Sequence, residues 1–261
     1  MGETEKADRG LRPDWWVVDV GNTHIKIAAF AGGWPASVFV RPTSWPPTIS
    51  DLPLPDKRLR AAVASVNPAA LPAALEFLGL ADADLRVILQ SDGAIFRSGF
   101  VSTDVLTPDT TGVDRVLGCL GALLDMPHRT VVVVDCGTAT TVNVMGPDMC
   151  FRGGMIAPGR RLLAGALHRR TAALPEAEPG TAKIGVGKST RESLEAGVSA
   201  AFLGGIRECV NVAVREHPQA AVFLTGGDAA FAWAALPESK QADWLTLRGL
   251  HWYATKVVGA S

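Results

Sequence analysis

The chain has 261 residues, 48% of them hydrophobic and 20% charged, with 25 Lys and Arg against 26 Asp and Glu. That is enough apolar mass for one large domain or two of ordinary size, and a formal net charge of −1 leaves no basic stripe of the kind a nucleic-acid backbone demands, so nucleic acid is set aside as a main partner. Cys119, Cys136, Cys150 and Cys209 show no C-x-x-C pair and no zinc or disulfide spacing, and are expected to be small core residues of a reducing compartment.

Residues 1–14 are polar, mixed in charge and without the apolar segment of a signal peptide, and are expected to form a disordered tail. No later apolar run reads as long and uninterrupted enough to span a bilayer, so a soluble cytoplasmic chain with no membrane partner is expected. The stretch WWVVDVGNTHIKIAAF, residues 15–30, is an apolar run, a polar interruption and an alternating run, which is the pattern of a β-hairpin. Residues 34–58, rich in Pro and Trp, are expected to be strand fragments joined by surface turns. A strand over 60–67, a helix over 68–80, a strand over 84–90 and a helix over 112–124 complete the first half.

The opening pattern then recurs. VVVVDCGTATTVNVM, residues 131–145, is again an apolar run, Asp, any residue, Gly, a Thr-rich cluster and a second apolar run. A long helical pattern over 189–217, a strand over 221–227 and a helix over 228–236 follow. The economical reading is α/β with two similar halves, each a mixed sheet with flanking helices, divided as 15–126 and 127–261.

The two turns can do chemistry. Gly beside small polar residues lets backbone N–H groups and hydroxyls converge on a phosphate, and a carboxylate ending the preceding strand can hold hydrated Mg²⁺. Asp19, Gly21, Asn22 and Thr23 have these parts, and Lys26 could add a positive charge. The same residues are also ordinary turn formers, and only the repetition of Asp ahead of Gly-x-Thr argues against a purely structural turn.

The duplicated device resembles the actin-like ATPase and sugar-kinase superfamily, two ribonuclease H-like domains that each present a hairpin to ATP. Further motifs narrow the resemblance to the type III pantothenate kinases. Gly112-Val113-Asp114-Arg115 is similar to their G-x-D-R element and 135–141 to their D-x-G-T-A-T-T hairpin. Residues 153–159 resemble G-G-x-I-x-P-G, 172–175 a Leu-Pro turn, and 65–68 an S-V-x-P turn. The pairs Ile184-Gly185, Ser189-Thr190 and Glu192-Ser193, with Gly197, and the T-G-G at 225–227, complete it.

That resemblance implies ATP-dependent phosphorylation of pantothenate to 4'-phosphopantothenate, the first step of coenzyme A biosynthesis, by a homodimer using ATP, Mg²⁺ and K⁺ or NH₄⁺. It implies that Asp19, Val20, Gly21, Asn22, Thr23, His24, Ile25 and Lys26, with Thr138, bind ATP. Gly112, Val113, Asp114, Arg115 and Thr190 are implied to bind pantothenate, with Asp114 as general base. Asp135 is implied to hold the monovalent cation, and Asp19 to act on Mg²⁺ indirectly. Read without the family, Asp114-Arg115 is equally a helix-start pair. Asp135 is equally a second Mg²⁺ ligand or a turn cap. Ser189 to Glu192 is an S-x-x-E capping box, which neither requires nor excludes a ligand at Thr190.

Two positions depart from the family pattern. Its pocket Tyr, expected in a Y-x-x-P context, is replaced in Val105-Leu106-Thr107-Pro108, and the one tyrosine of the chain is Tyr253. Asn143 stands where Asp is common. These departures keep open a weak kinase or an altered acceptor, and with it a kinase of another small alcohol; the resemblance itself also admits a non-catalytic nucleotide-binding accessory or regulatory relative.

Overall fold

The structure, a computed structural model, describes residues 12–44, 58–176 and 184–259. Most of the expected tail and of the expected turns at 34–58 lies outside the described residues. The chain divides into two compact units. The first holds the described residues up to Gly121, Met149–Phe151 and those from Leu245 onward, and the second holds Ala122–Asp148 and Arg152–Trp244.

In the first unit β1 (Trp15–Val20), β2 (His24–Ala31), β3 (Trp34–Pro42), β4 (Arg60–Ser65), α1 (Leu71–Leu80) and β5 (Asp84–Gln90) build a sheet in the order β3-β2-β1-β4-β5. β1 pairs antiparallel with β2 and parallel with β4, and β4 pairs parallel with β5. The central strand is buried throughout because both of its faces are covered. Trp16, Val18 and Val20 pack with Ala74, Phe77 and Leu78 of α1, and the Trp16 and Phe77 rings meet edge to face at 5.5 Å. Asp19 alternates onto the opposite face. The short helix α2 (Ala94–Arg97), the strand β6 (Ser102–Thr103), a 3₁₀ turn at Pro108–Thr110 and α3 (Val113–Leu123) follow.

The second unit repeats the plan. β7 (Val131–Cys136), β8 (Ala139–Met145), β9 (Cys150–Pro158), α4 (Arg160–Arg170), α5 (Thr190–Glu216), β10 (Ala221–Thr225), α6 (Ala229–Ala232) and β11 (Lys240–Gln241) follow, and five strands of the six-stranded sheet run in the order β9-β8-β7-β10-β11, with β6 beyond β9. Again the first two strands are antiparallel and the first and fourth parallel. The same strand order twice is the duplicated ribonuclease H-like plan, and its two central hairpins are those expected at 15–30 and 131–145.

By length and composition α5 could cross a membrane, which departs from the expectation that no segment would pass that test. Its stripe of Val198, Phe202, Leu203, Ile206 and Val210 is instead buried with Val132, Val134 and Val142 of the sheet, as in the core helix of a globular unit. None of the four cysteines forms a disulfide, and Cys119, Cys136 and Cys150 are buried.

The last helix, α7 (Leu245–Gly259), returns to the first unit, whereas the sequence division places it with the second half. The physical reason is its packing against β1 and α3. His251 stacks on Phe30 with ring centroids 4.6 Å apart, and Gly249 lies where any Cβ would strike the Leu117 carbonyl of α3.

Candidate active site

The first hairpin turns tightly at Gly21, whose N–H donates to His24 O at 2.9 Å. Asp19 and Lys26 are direct cross-strand partners, and Lys26 Nζ lies 3.0 Å from Asp19 Oδ2, with the Asp19 side chain only 5% exposed. Asn22, Thr23 and His24 are exposed. Val20 and Ile25 are fully buried in the core, so they can offer a ligand only backbone groups. The turn after β4 lies alongside: Asn67 Nδ2 donates to Asn22 O at 3.5 Å, and Asn67 Oδ1 caps Ala69 N and Ala70 N at 3.2 and 3.3 Å.

β1, β4 and β5 are parallel, so their carboxyl ends share one edge of the sheet. Val20, Ser65 and Gln90 stand in register there, and Ser91, the next residue, accepts the Val113 N–H on its Oγ at 3.2 Å. That bond docks the start of α3 at the edge where β1 ends, one residue past Asp19. Asp114 occupies the first turn of α3 and Arg115 N donates to its Oδ1 at 2.8 Å. The Arg115 guanidinium lies over the Phe151 ring, 5.5 Å from its centroid, and burial lowers its pKa against the opposing pull of Asp114. Phe151 is held in turn by the β6–β9 pairing, where Thr103 Oγ1 donates to Phe151 O at 2.8 Å. Val105 N donates back to Thr103 Oγ1 at 3.1 Å, and the Leu106 that follows is 99% exposed. Val105, the first position of that Y-x-x-P context, is itself half-buried, and the open surface begins at Leu106.

In the second unit Asp135 and Thr225 are parallel partners at the carboxyl ends of β7 and β10. Gly226, at φ +95°, puts backbone against the carboxylate, since a Cβ there would lie 2.5 Å from Asp135 Oδ1. Gly159 N donates to Thr138 O at 3.1 Å, and its own absent Cβ would come 2.5 Å from that oxygen. The T-G-G turn and the end of the G-G-x-I-x-P-G loop therefore both close on the second hairpin, which is why neither tolerates a side chain at these glycines. Burial, reinforced by Asp135 and then Asp228, pushes the Cys136 thiol up, so it stays a neutral core group. Asn143 is buried and donates to Thr141 Oγ1 at 2.8 Å.

Each unit thus collects its expected residues at one sheet edge: Asp19 to Lys26 with Gly112 to Arg115 in the first, Asp135 with Thr138 in the second. Thr190 shares no strand or turn with Asp135 and Thr138. It is exposed at the first position of α5, where Ser189 Oγ accepts from Glu192 N at 3.2 Å and Glu192 Oε2 from Lys188 N at 2.6 Å. The Ser189 cap is therefore formed, while Glu192 reaches the N–H of the residue before the cap rather than that of Ser189 itself. Sequence reasoning passed over Ser91, Phe151 and the Arg160–Asp228 ion pair, and no short-range pattern marks any of them. Among the described residues no group of three or more His, Cys, Asp or Glu could hold a metal ion.

The sequence profile of the type III pantothenate kinases matches residues 15–212. The chain belongs to the type III pantothenate kinase family. A type III pantothenate kinase of Alkalilimnicola ehrlichii is 31% identical over 261 aligned positions, covering 91% of this chain and 96% of its own. One from Chlorobaculum tepidum is 31% identical, covering 78% and 77%. Among solved structures, a candidate 2-dehydro-3-deoxygalactonokinase from Sinorhizobium meliloti superposes with a TM-score of 0.57 at 14% identity, over 94% of this chain and 96% of the other. A candidate Baf-family transcriptional activator from Campylobacter jejuni gives 0.53 at 15% identity, over 94% and 99%. At such identities these two speak for the fold alone. As a type III pantothenate kinase the chain is a phosphotransferase on the duplicated actin-like plan.

Proposed function

We propose that this chain phosphorylates pantothenate with ATP, giving 4'-phosphopantothenate for coenzyme A biosynthesis, and that Asp114 is the base. The observation that carries this reading is the shared edge of the first sheet. The exposed polar turn of Asn22 and Thr23, with Lys26 beside it, offers donors and positive charge to phosphate oxygens. At the same edge the first turn of α3 presents a carboxylate and a guanidinium on successive residues. Arg115 suits the pantothenate carboxylate, since its planar fork matches two oxygens. Gly112 and Val113 lend backbone to the same pocket.

In the reaction the pantothenate hydroxyl gives its proton to Asp114. Its oxygen forms the new bond to the γ-phosphorus, and the bond to the β-bridging oxygen breaks, with the electron pair leaving on ADP. A carboxylate of ordinary acidity serves, because the transition state is loose and the alcohol needs orientation more than strong deprotonation.

The cations fit the donors. Asp19 already spends Oδ2 on Lys26, so it suits Mg²⁺ held through water and triphosphate rather than directly. Asp135 offers a hard carboxylate oxygen where the Gly226 turn closes on the hairpin, a donor suited to K⁺ or NH₄⁺. When bound, these ions supply charge compensation for the phosphates. Orientation of the alcohol and the proton transfer belong to Arg115 and Asp114. A homodimer in the cytoplasm is the setting this reading carries.

The test is mass-spectrometric identification of the product formed from ATP and pantothenate, in K⁺ and in Na⁺, beside a panel of other small alcohols. Phosphopantothenate formed selectively and faster in K⁺ supports the reading. Faster phosphorylation of another alcohol overturns it.

A further inference from the structure

The Arg160–Asp228 ion pair lies outside every motif role above. Arg160 Nη2 stands 2.6 Å from Asp228 Oδ1, with the two side chains only 15% and 22% exposed. The guanidinium also lies over the Phe231 ring at 3.7 Å, a desolvated cation–π contact. Each partner sits one or two residues from a glycine that touches the second hairpin. Arg160 follows Gly159, whose N–H holds Thr138 O. Asp228 follows the turn of Gly226, which abuts Asp135, and its own N–H donates to Cys136 O at 3.0 Å. One loop therefore grips the turn of the hairpin and the other grips the end of its incoming strand, and the ion pair ties the two loops together.

We infer that Arg160 and Asp228 are positioning residues for ATP: their pair clasps the loops that fix Thr138 and Asp135. The inference rests on the assignment of Thr138 and Asp135 to ATP and its cation. The pair supplies rigidity to the hairpin and touches no reacting atom. A mostly buried pair is well suited to this, because removing one partner strands the other charge and both loops lose their common anchor. A guanidinium that stacks on Phe231 while it bonds Asp228 is also fixed in direction, which a lysine in its place would not be.

The experiment compares the parent with Arg160→Met, Arg160→Lys, Asp228→Asn and the double variant Arg160→Met/Asp228→Asn. The readouts are KM for ATP, KM for pantothenate, ATP binding by calorimetry without pantothenate, and the melting temperature. Displacement of a positioned group by an ångström is costly, so Arg160→Met should raise KM and Kd for ATP at least about tenfold, with KM for pantothenate changed by less than about twofold. Arg160→Lys should fall between Met and the parent. The double variant should be no worse than Arg160→Met alone, the mark of one coupled unit. Unchanged ATP affinity, equal changes in both KM values, or additive losses in the double variant would overturn the inference. A parent that binds ATP yet leaves pantothenate unphosphorylated would refute the proposed reaction instead, and the calorimetric comparison would still decide the role of the pair.

Discussion

Replacing Lys26 by Met removes the partner of a nearly buried carboxylate. Asp19 keeps 5% of its side-chain exposure, and its Oδ2 loses the ammonium at 3.0 Å. Breaking a fully buried pair in this way costs about 3–5 kcal/mol. Lys26 is 33% exposed, so water already screens the contact and can enter where the ammonium was. A cost nearer ~2 kcal/mol follows, since exposed pairs are worth about 1 kcal/mol or less. For a chain of this size 1 kcal/mol moves the melting temperature by roughly 2–4 °C, so Lys26→Met should melt about 4–8 °C below the parent. Asp19→Asn/Lys26→Met, which removes the stranded charge as well, should recover much of that loss. Neither variant should recover ATP affinity, because the positive charge beside the turn is gone in both. Differential scanning calorimetry and ATP titration on the four proteins of the cycle read both effects. A Lys26→Met protein that melts with the parent and binds ATP as tightly would refute the coupling of stability and phosphate binding in this hairpin.

Two further outcomes follow from the first unit. Burial lowers the His251 pKa where the ring stacks on Phe30 and meets Trp15, with Asp14 pulling upward and Arg60 downward. The folded chain therefore keeps this imidazole neutral at pH values where the unfolded chain takes up a proton. Its contribution is present above pH ~6.5 and is lost as the pH falls through the folded value, by up to about 1.4 kcal/mol per pH unit. Urea unfolding between pH 7 and 5 should show a flatter pH dependence in His251→Phe than in the parent, and parallel curves would contradict the assignment. Phe151→Leu should loosen Arg115, so kcat/KM for pantothenate should fall about tenfold, the size of one charge-assisted contact. The analogue with a hydroxymethyl group in place of the carboxylate should be barely affected, and equal losses on both substrates would show that Phe151 acts only through general packing.

The hairpins, the strands at 60–65 and 84–90, and the helices α1, α3 and α5 were legible because their periodicity is strong and local. β5 and the Ser189 cap fall where the sequence places them. α7 was missed because Arg248 and His251 are buried among its apolar residues, so no clean apolar stripe appears. α4 was missed for the opposite reason: Leu162 and Leu167 are each 39% exposed, and its polar and apolar faces are mixed. The predicted helix over 228–236 shrinks to Ala229–Ala232, because beyond Trp233 the backbone passes into three-residue turns, with Ala234 N donating to Phe231 O, Ala235 N to Ala232 O and Leu236 N to Trp233 O. Within the candidate site the sequence marks the groups proposed to meet ligands, as Asp, Gly and Thr in repeated order. It carries no trace of what holds them: Ser91 is separated from Val113 by 22 residues and Arg160 from Asp228 by 68, and only the folded sheets bring each pair together.

The central claim is that Asp114 accepts the proton of the pantothenate hydroxyl. ADP formation with and without pantothenate, on the parent and on Asp114→Asn in K⁺ buffer, tests it directly. The account expects pantothenate-dependent turnover in the parent and a fall of about 10²–10⁴-fold in Asp114→Asn with ATP binding intact. Turnover that ignores pantothenate, or an Asp114→Asn protein as fast as the parent, would contradict it.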